Sequence, residues 1–101
     1  MAIRERDVEK YFVAKVIKAG GITRKMQWIS GRNAPDRIVF LNGIHLAELK
    51  SPQGELSAGQ KREIAKLVEH SGETIYILHD FYEVDWFIEQ ITHPTTAPII
   101  I

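Results

Sequence analysis

Apolar residues recur at helical spacing in the first part of the chain. Val8, Phe12 and Val16 lie four residues apart, and this period predicts a helix over Ile3–Ala19 with one face buried. Gly20-Gly21 follows directly and is typical of a helix end. The chain therefore opens with an amphipathic helix that needs a partner to cover its apolar face.

Three segments rich in β-forming residues follow this helix. They predict strands over Ile22–Ile29, Asp36–Leu41 and Ile44–Lys50. Asn42-Gly43 lies between the last two and is the strongest hairpin signal in the chain, typical of a type I′ turn. Both hairpin strands carry apolar residues on both faces, so we expect them to lie centrally in a sheet that is covered on both sides.

The second half predicts a helix, a strand and a final helix. Ser57 and Gln60 form a capping-box pattern, and the helix that follows should bury Ile64, Leu67 and Val68 and end near Gly72. We then expect a strand over Thr74–Leu78 and a helix from Asp80 to about Ile91. The predicted fold class is α/β, an α-β-β-β-α-β core with a central mixed sheet flanked by helices and one parallel, right-handed crossover.

Composition limits the class of protein. The chain has 101 residues with 13 basic and 13 acidic side chains, which fits one domain over residues 1–93 and a tail over 94–101. The net charge of zero means that any nucleic-acid contact must be local. The absence of cysteine excludes disulfides, thiolate metal sites and cysteine nucleophiles. No apolar run approaches the ~20 residues of a membrane span, so we expect no membrane partner and an intracellular location, in the cytoplasm or a host-cell cytoplasm.

The residues most suggestive of chemistry lie at the ends of the hairpin strands. Asp36 follows Pro35, and Glu48 and Lys50 are two residues apart in an apolar segment. Alternate strand residues share a face, and the hairpin folds Asp36 back toward that face. Two carboxylates and an ammonium at one spot suit a hard cation and a phosphodiester. The simpler alternatives are a turn residue for Asp36 and an internal pair for Glu48 with Lys50.

Glu9 is a third candidate carboxylate. It falls inside the apolar arc of the first helix, where a charge is costly unless it is paired or binds a cation. Its alternatives are a partner in a buried ion pair and a residue at the rim of the apolar face. With Asp36, Glu48 and the Leu49 carbonyl, Glu9 would complete an oxygen ligand set for Mg²⁺ or Mn²⁺, either directly or through water. Lys50 would either position the water that the ion activates or stabilise charge growing on phosphorus.

Gln60 shares a helix face with Ile64 and is expected to point toward the sheet. Its alternative role, capping the helix with Ser57, is compatible with a role in the site. His79, at the end of a predicted strand, is the one histidine considered for the site; the other three carry no metal-ligand spacing.

The ordered motifs resemble the virus-type replication-repair nuclease (VRR-NUC) branch of the PD-(D/E)XK nuclease superfamily. The matching residues, over about Ile3 to Leu78, are Glu9, Gly20-Gly21, Pro35-Asp36-Arg37, Glu48-Leu49-Lys50, Leu56-Ser57 and Gln60. Asn33 stands where the family often has glycine, and asparagine tolerates left-handed backbone well. The resemblance implies a restriction-endonuclease-like fold and a small stand-alone, metal-dependent endodeoxyribonuclease that acts as a homodimer on branched DNA, including four-way (Holliday) junctions.

Two other functions stay open: a non-catalytic DNA-binding or assembly module with the same fold, and a flap or restriction-like nuclease. Basic residues flank the proposed site and are candidate phosphate contacts: Arg24, Lys25, Arg32, Arg37, Lys61, Arg62 and Lys66. The candidate dimer surface is the apolar excess of the last helix, from Phe81 to Ile91, together with the Ile99–Ile101 tail.

Overall fold

The computed structural model describes residues 2–93, so the predicted 94–101 tail lies outside the described residues. The element order confirms the predicted α/β fold class. The elements are α1 (Glu5–Lys18), β1 (Ile22–Lys25), β2 (Arg37–Phe40), β3 (Ile44–Leu49), α2 (Ala58–Ser71), β4 (Ile75–Leu78) and α3 (Phe81–Thr92). Within this part of the chain, no helix has both the length and the apolar character that a membrane crossing requires.

The four strands form one mixed sheet in the order β1-β2-β3-β4. β1 pairs antiparallel with β2, and β2 antiparallel with β3. β3 and β4 run parallel and are connected through α2. The two hairpin strands are therefore central, as their two-sided apolar pattern predicts.

The turn of the hairpin differs in one detail from the predicted two-residue loop. Asn42 and Gly43 both have positive φ, 51° and 109°, as a type I′ turn demands. Phe40 pairs with Ile44, however, so Leu41 also belongs to the loop. The Leu41 amide donates to the Gly43 carbonyl, and the Asn42 side chain donates to the carbonyl of Ile91. A contact with α3 thus helps to fix the turn, and local sequence does not encode this contact.

One face of the sheet carries the hydrophobic core. Val39 of β2 and Ala47 and Leu49 of β3 are buried there, under α1 and α3. Phe12 of α1 stacks on Phe87 of α3 with ring centroids 5.5 Å apart. Because strand residues alternate, burial of Ala47 and Leu49 on this face directs the side chain between them to the opposite face.

The opposite face is covered less completely, and one core prediction is wrong there. α2 packs mainly on β4, so Ile64 and Leu67 are half-buried and Val68 is exposed. Because α2 covers only one side of this face, Phe40 and Ile44 also stay accessible to solvent. The helical period identifies which residues of α2 face the sheet, but the width of sheet beneath the helix decides how deeply they are buried.

The first strand is shorter than predicted. β1 ends at Lys25, and the Met26 amide still donates to the Asp36 carbonyl at 2.9 Å before the chain leaves the sheet. Gly31 and Asn33 in the following loop have φ values of 137° and 67°. Asn33 therefore adopts the left-handed backbone that its place in the motif requires.

Candidate active site

The start of β2 and the end of β3 are joined by a side-chain contact. An Asp36 carboxylate oxygen accepts a hydrogen bond from the Leu49 backbone amide at 2.7 Å. Pro35, just before it, is fully buried and has no amide hydrogen to donate. The Asp36 side chain thus accepts a hydrogen bond that a backbone carbonyl of β2 would accept in a continuous strand pair. This bond holds its carboxylate beside β3 at the point where the strands separate.

Glu48 lies on the α2 side of the sheet in a polar network. Its side chain is only 3% exposed, and one of its carboxylate oxygens accepts from the Gln60 side-chain amide at 2.7 Å. The Gln60 carbonyl oxygen in turn accepts from Lys50 Nζ and from the Ser57 backbone amide, each at 2.9 Å. Lys50 Nζ lies 3.7 Å from the Glu48 carboxylate, so Gln60 is the bridge between them. Gln60 also caps α2, since its backbone amide donates to the Ser57 hydroxyl at 3.1 Å, and capping therefore leaves its side chain in contact with Glu48 and Lys50.

The charge of Glu48 is poorly compensated. Burial and, to a smaller extent, the nearby Asp36 carboxylate raise the pKa of Glu48 to about 7, although Lys50 acts in the opposite direction. Glu5 adds a smaller repulsion. The described side chains therefore leave an excess of negative potential at this place, which a bound cation would relieve.

Glu9 takes part in the ion pair that its alternative role describes. One of its carboxylate oxygens lies 3.0 Å from Arg37 Nε and 2.9 Å from Arg37 Nη2, with Lys25 Nζ at 3.8 Å. The Arg37 side chain is 13% exposed, so its guanidinium is used mainly by Glu9. Its role as a DNA contact stays a prediction.

A cavity of about 200 Å³ opens between α1 and the strand ends. It is lined by three acidic residues, Glu5, Glu9 and Asp36, together with Lys25, Met26 and Leu49. Glu5 is not among the site residues predicted from sequence, although it lies one helical turn before Glu9 and therefore on the same face. The signal was present, but Glu5 lies in the first turn of the helix, and only the three-dimensional packing shows that this turn reaches the cavity.

The donor set of this cavity suits a hard cation. Carboxylate and carbonyl oxygens are the ligands that Mg²⁺ and Mn²⁺ prefer, and the Leu49 carbonyl leaves β3 from the same side as the amide that faces Asp36. Within residues 2–93, no three carboxylate or imidazole side chains already converge as a finished metal cluster. Glu9 and Asp36 line the cavity while bonded to Arg37 and Leu49. Glu48 is not one of the lining residues, and its carboxylate bonds Gln60 on the α2 side of the sheet.

The remaining predicted residues lie around this site or apart from it. Arg24, Lys25, Arg32, Lys61 and Arg62 are exposed, and the Arg24 guanidinium donates to the carbonyl of Thr23. His79 lies apart: its Nδ1 and its backbone amide are both within hydrogen-bonding distance of the Glu83 carboxylate, at 3.0 and 2.7 Å. His79 therefore contributes to the start of α3 in this structure.

Comparison with known proteins gives the family. The chain is 43% identical over 67 residues to "Putative nuclease p44" of Acyrthosiphon pisum secondary endosymbiont phage 1, a match that spans 64% of this chain and 72% of that protein. It also superimposes on a solved structure described as a VRR_NUC domain, with a TM-score of 0.76 and 28% identity, over 92% of this chain and 99% of the other. The chain belongs to the VRR-NUC family. No protein-family model matches the chain.

The fold of this VRR-NUC chain agrees with the resemblance found in its motifs. The four-stranded mixed sheet with three helices is the VRR-NUC nuclease fold. Pro35-Asp36 and Glu48-Leu49-Lys50 lie side by side at one end of this sheet.

We predict that the stability of the metal-free protein falls as pH rises. The pKa of Glu48 is about 7 in the folded chain and 4.5 in its ordinary state, so the folded state binds more protons between these values. Unfolding free energy should decrease by about 1–3 kcal/mol from pH 4.5 to pH 8 because of this group. Urea unfolding at a series of pH values, in the presence of a chelator, measures this change in unfolding free energy.

Glu48→Gln should flatten this pH profile and raise stability at pH 8, because the neutral amide removes the buried charge. Glu69→Gln is the matched control, since Glu69 is exposed on α2, and it should follow the wild-type profile. Parallel curves for the wild type and Glu48→Gln would show that Glu48 does not carry the buried charge.

Proposed function

We propose that the chain is a metal-dependent endonuclease that cleaves branched DNA. The observation that carries the proposal is the placement of the half-buried Asp36 carboxylate near the buried Glu48 carboxylate, next to Lys50. Burying the Glu48 charge near a like charge costs stability, and a fold has no structural need for such a cost. Family membership supports hydrolysis of a phosphodiester as the purpose of the arrangement.

Asp36, Glu48, Glu9 and the Leu49 carbonyl are the proposed ligands of Mg²⁺ or Mn²⁺. When bound, the ion supplies positive charge beside the scissile phosphate and favours ionisation of water at neutral pH. Its presence would also lower the pKa of Glu48, which burial and Asp36 raise in the metal-free chain. The site would therefore bind its cation more tightly as pH rises toward 7, because the proton and the cation compete for the same carboxylate.

Lys50 and Gln60 have separate roles in the proposed mechanism. The Lys50 ammonium, 13% exposed, is placed to stabilise the negative charge that develops on the phosphate during attack. Gln60 holds both Lys50 and Glu48 through its two side-chain atoms, so it fixes the distance between the cationic and the anionic group. Arg37 holds Glu9 in place directly, through two contacts with one carboxylate oxygen.

DNA binding is proposed to depend on local basic residues, because the chain has no net charge. Exposed side chains beside the site would contact phosphates and position the backbone without reading sequence: Arg24, Lys25, Arg32, Lys61 and Arg62. Lys25 is the nearest of them to the cavity, since it lines the cavity and its side chain remains 73% exposed.

The active form is proposed to be a homodimer, because symmetric cutting of two strands requires two sites related by a two-fold axis. The part of α3 that is available for a dimer contact is smaller than the sequence predicts. Val84, Phe87 and Ile91 of α3 are buried in the core of their own chain. Tyr82 and Trp86 remain 79% and 47% exposed beside edge strand β4, and we propose that a second copy covers them.

Loss of a carboxylate ligand should abolish cleavage. We expect Asp36→Ala and Glu48→Ala to lower the rate on branched DNA by at least about a hundredfold. The assay compares duplex, flap, splayed and four-way DNA with Mg²⁺ or Mn²⁺, and wild type should cut branched substrates fastest.

Glu55→Ala is the control for this assay because Glu55 is an exposed acidic residue of the loop after β3, and it should cut like wild type. Undiminished cleavage by both site variants would contradict the mechanism. Metal-independent binding of branched DNA without cleavage by the wild type would favour a non-catalytic module instead.

Gln60→Ala should separate positioning of the site from capping of α2. We expect activity to fall about tenfold or more and the Mg²⁺ concentration for half-maximal rate to rise, as is usual when a group that orients metal ligands is lost. Ser57→Ala removes the cap but leaves the bonds from Gln60 to Glu48 and Lys50. It should cost about 1 kcal/mol of stability with normal metal dependence. An equal change in metal dependence in both variants would assign Gln60 to capping alone.

The dimer surface makes a prediction about molecular mass. Sedimentation velocity should give a dimer for the wild type and mainly monomer for a Tyr82→Ser/Trp86→Ser double variant, because both apolar contacts are lost. The comparison variant is Phe40→Ser/Ile44→Ser, which removes exposed apolar residues from the sheet and should remain dimeric. Dissociation of that variant alone would place the interface on the sheet rather than on α3.

A further inference from the structure

The loop between β1 and β2 begins and ends at the candidate active site. Met26 precedes it and Asp36 follows it, and the two residues are joined by the backbone hydrogen bond between them. Both also line the 200 Å³ cavity. A DNA segment in contact with residues 27–34 would therefore lie close to the proposed metal ligands.

This loop is fixed to α2 at two points. The Trp28 indole nitrogen donates to the Glu63 carboxylate at 2.8 Å. Asn33 lies so close to Gly59 that a Cβ on residue 59 would come within 2.6 Å of the Asn33 side-chain nitrogen. Between these points the chain makes a turn in which Gly31, at φ 137°, lies against the Trp28 side chain. The tip of the loop is thereby held in one orientation.

Ile29 is at this tip, and its relative exposure is 106%. Single exposed apolar residues are ordinary on protein surfaces. Ile17 and Ile44 are examples, with relative exposures of 62% and 65%, and both are partly covered by neighbouring atoms. Ile29 differs because it has no cover, lies on a fixed loop beside the site, and is followed closely by an exposed arginine, Arg32.

We propose that Ile29 is a wedge residue that enters the base stack of DNA at a branch point next to the scissile phosphate. The inference rests on the proposed nuclease function and adds a source of substrate selectivity to it. Isoleucine is among the apolar side chains that proteins insert between base steps. Unstacking costs least where bases are already unpaired, so the wedge favours branched over continuous duplex DNA. Arg32 would hold the adjacent phosphate.

Cleavage kinetics and base fluorescence test the wedge. Ile29→Ser should cut four-way and flap DNA about tenfold more slowly, since it loses most of an apolar contact, while its rate on duplex stays unchanged. DNA with 2-aminopurine at the branch point should fluoresce more when bound by the Asp36→Ala protein, because the base is unstacked. The Ile29→Ser/Asp36→Ala protein should lose most of this increase.

Two matched variants show whether the apolar tip itself is responsible. Ile29→Leu retains an apolar tip and should keep wild-type selectivity. Ile17→Ser removes an exposed isoleucine from α1 and should change neither readout. An unchanged branched-to-duplex ratio or an unchanged fluorescence increase in the Ile29→Ser proteins would overturn the wedge. Absence of cleavage by the wild type would count against the nuclease proposal, and the fluorescence comparison would still decide on Ile29.

Discussion

The hydrogen bond from the Leu49 amide to the Asp36 carboxylate is the contact on which the rest of the site depends. It continues the pairing of β2 and β3 beyond Arg37 and Ala47, the last paired residues at this end, with a side chain in place of a backbone carbonyl. This contact has an electrostatic cost, because it holds the Asp36 carboxylate near Glu48, whose pKa is raised first by burial and then by this neighbouring charge. The site therefore exists because strand pairing is strong enough to hold two like charges together.

The other polar contacts of the site determine how much of the repulsion between Asp36 and Glu48 is compensated. Gln60 donates to Glu48 with one side-chain atom and accepts from Lys50 with the other, so a neutral residue couples opposite charges that lie 3.7 Å apart. Glu9 is balanced separately by Arg37. This division leaves Asp36 and Glu48 as neighbouring oxygen donors whose negative charge is only partly compensated, and such donors attract a hard cation.

Periodicity and turn chemistry predicted most of the fold, because amphipathic spacing and Asn42-Gly43 act locally. The same signals placed Asp36, Glu48 and Lys50 together, since a hairpin and alternating faces suffice to relate them. Long-range packing determined what sequence could not: the partner of Glu9, the arrival of Glu5 at the cavity, and the exposure of Val68. β1 ended early for the same reason, since its β-forming residues continue past the point where its partner strand stops.

Helix α2 has no fully buried residue, although it supplies Gln60 to the site. A helix held mainly by half-buried side chains and its terminal caps opens at a lower free-energy cost than the core elements do. Brief local unfolding of α2 would withdraw Gln60 from Glu48 and Lys50, and would release the Trp28 contact with Glu63 at the same time. Placement of Gln60 between Glu48 and Lys50 and fixation of the neighbouring loop are thus coupled through the folding equilibrium of a single helix.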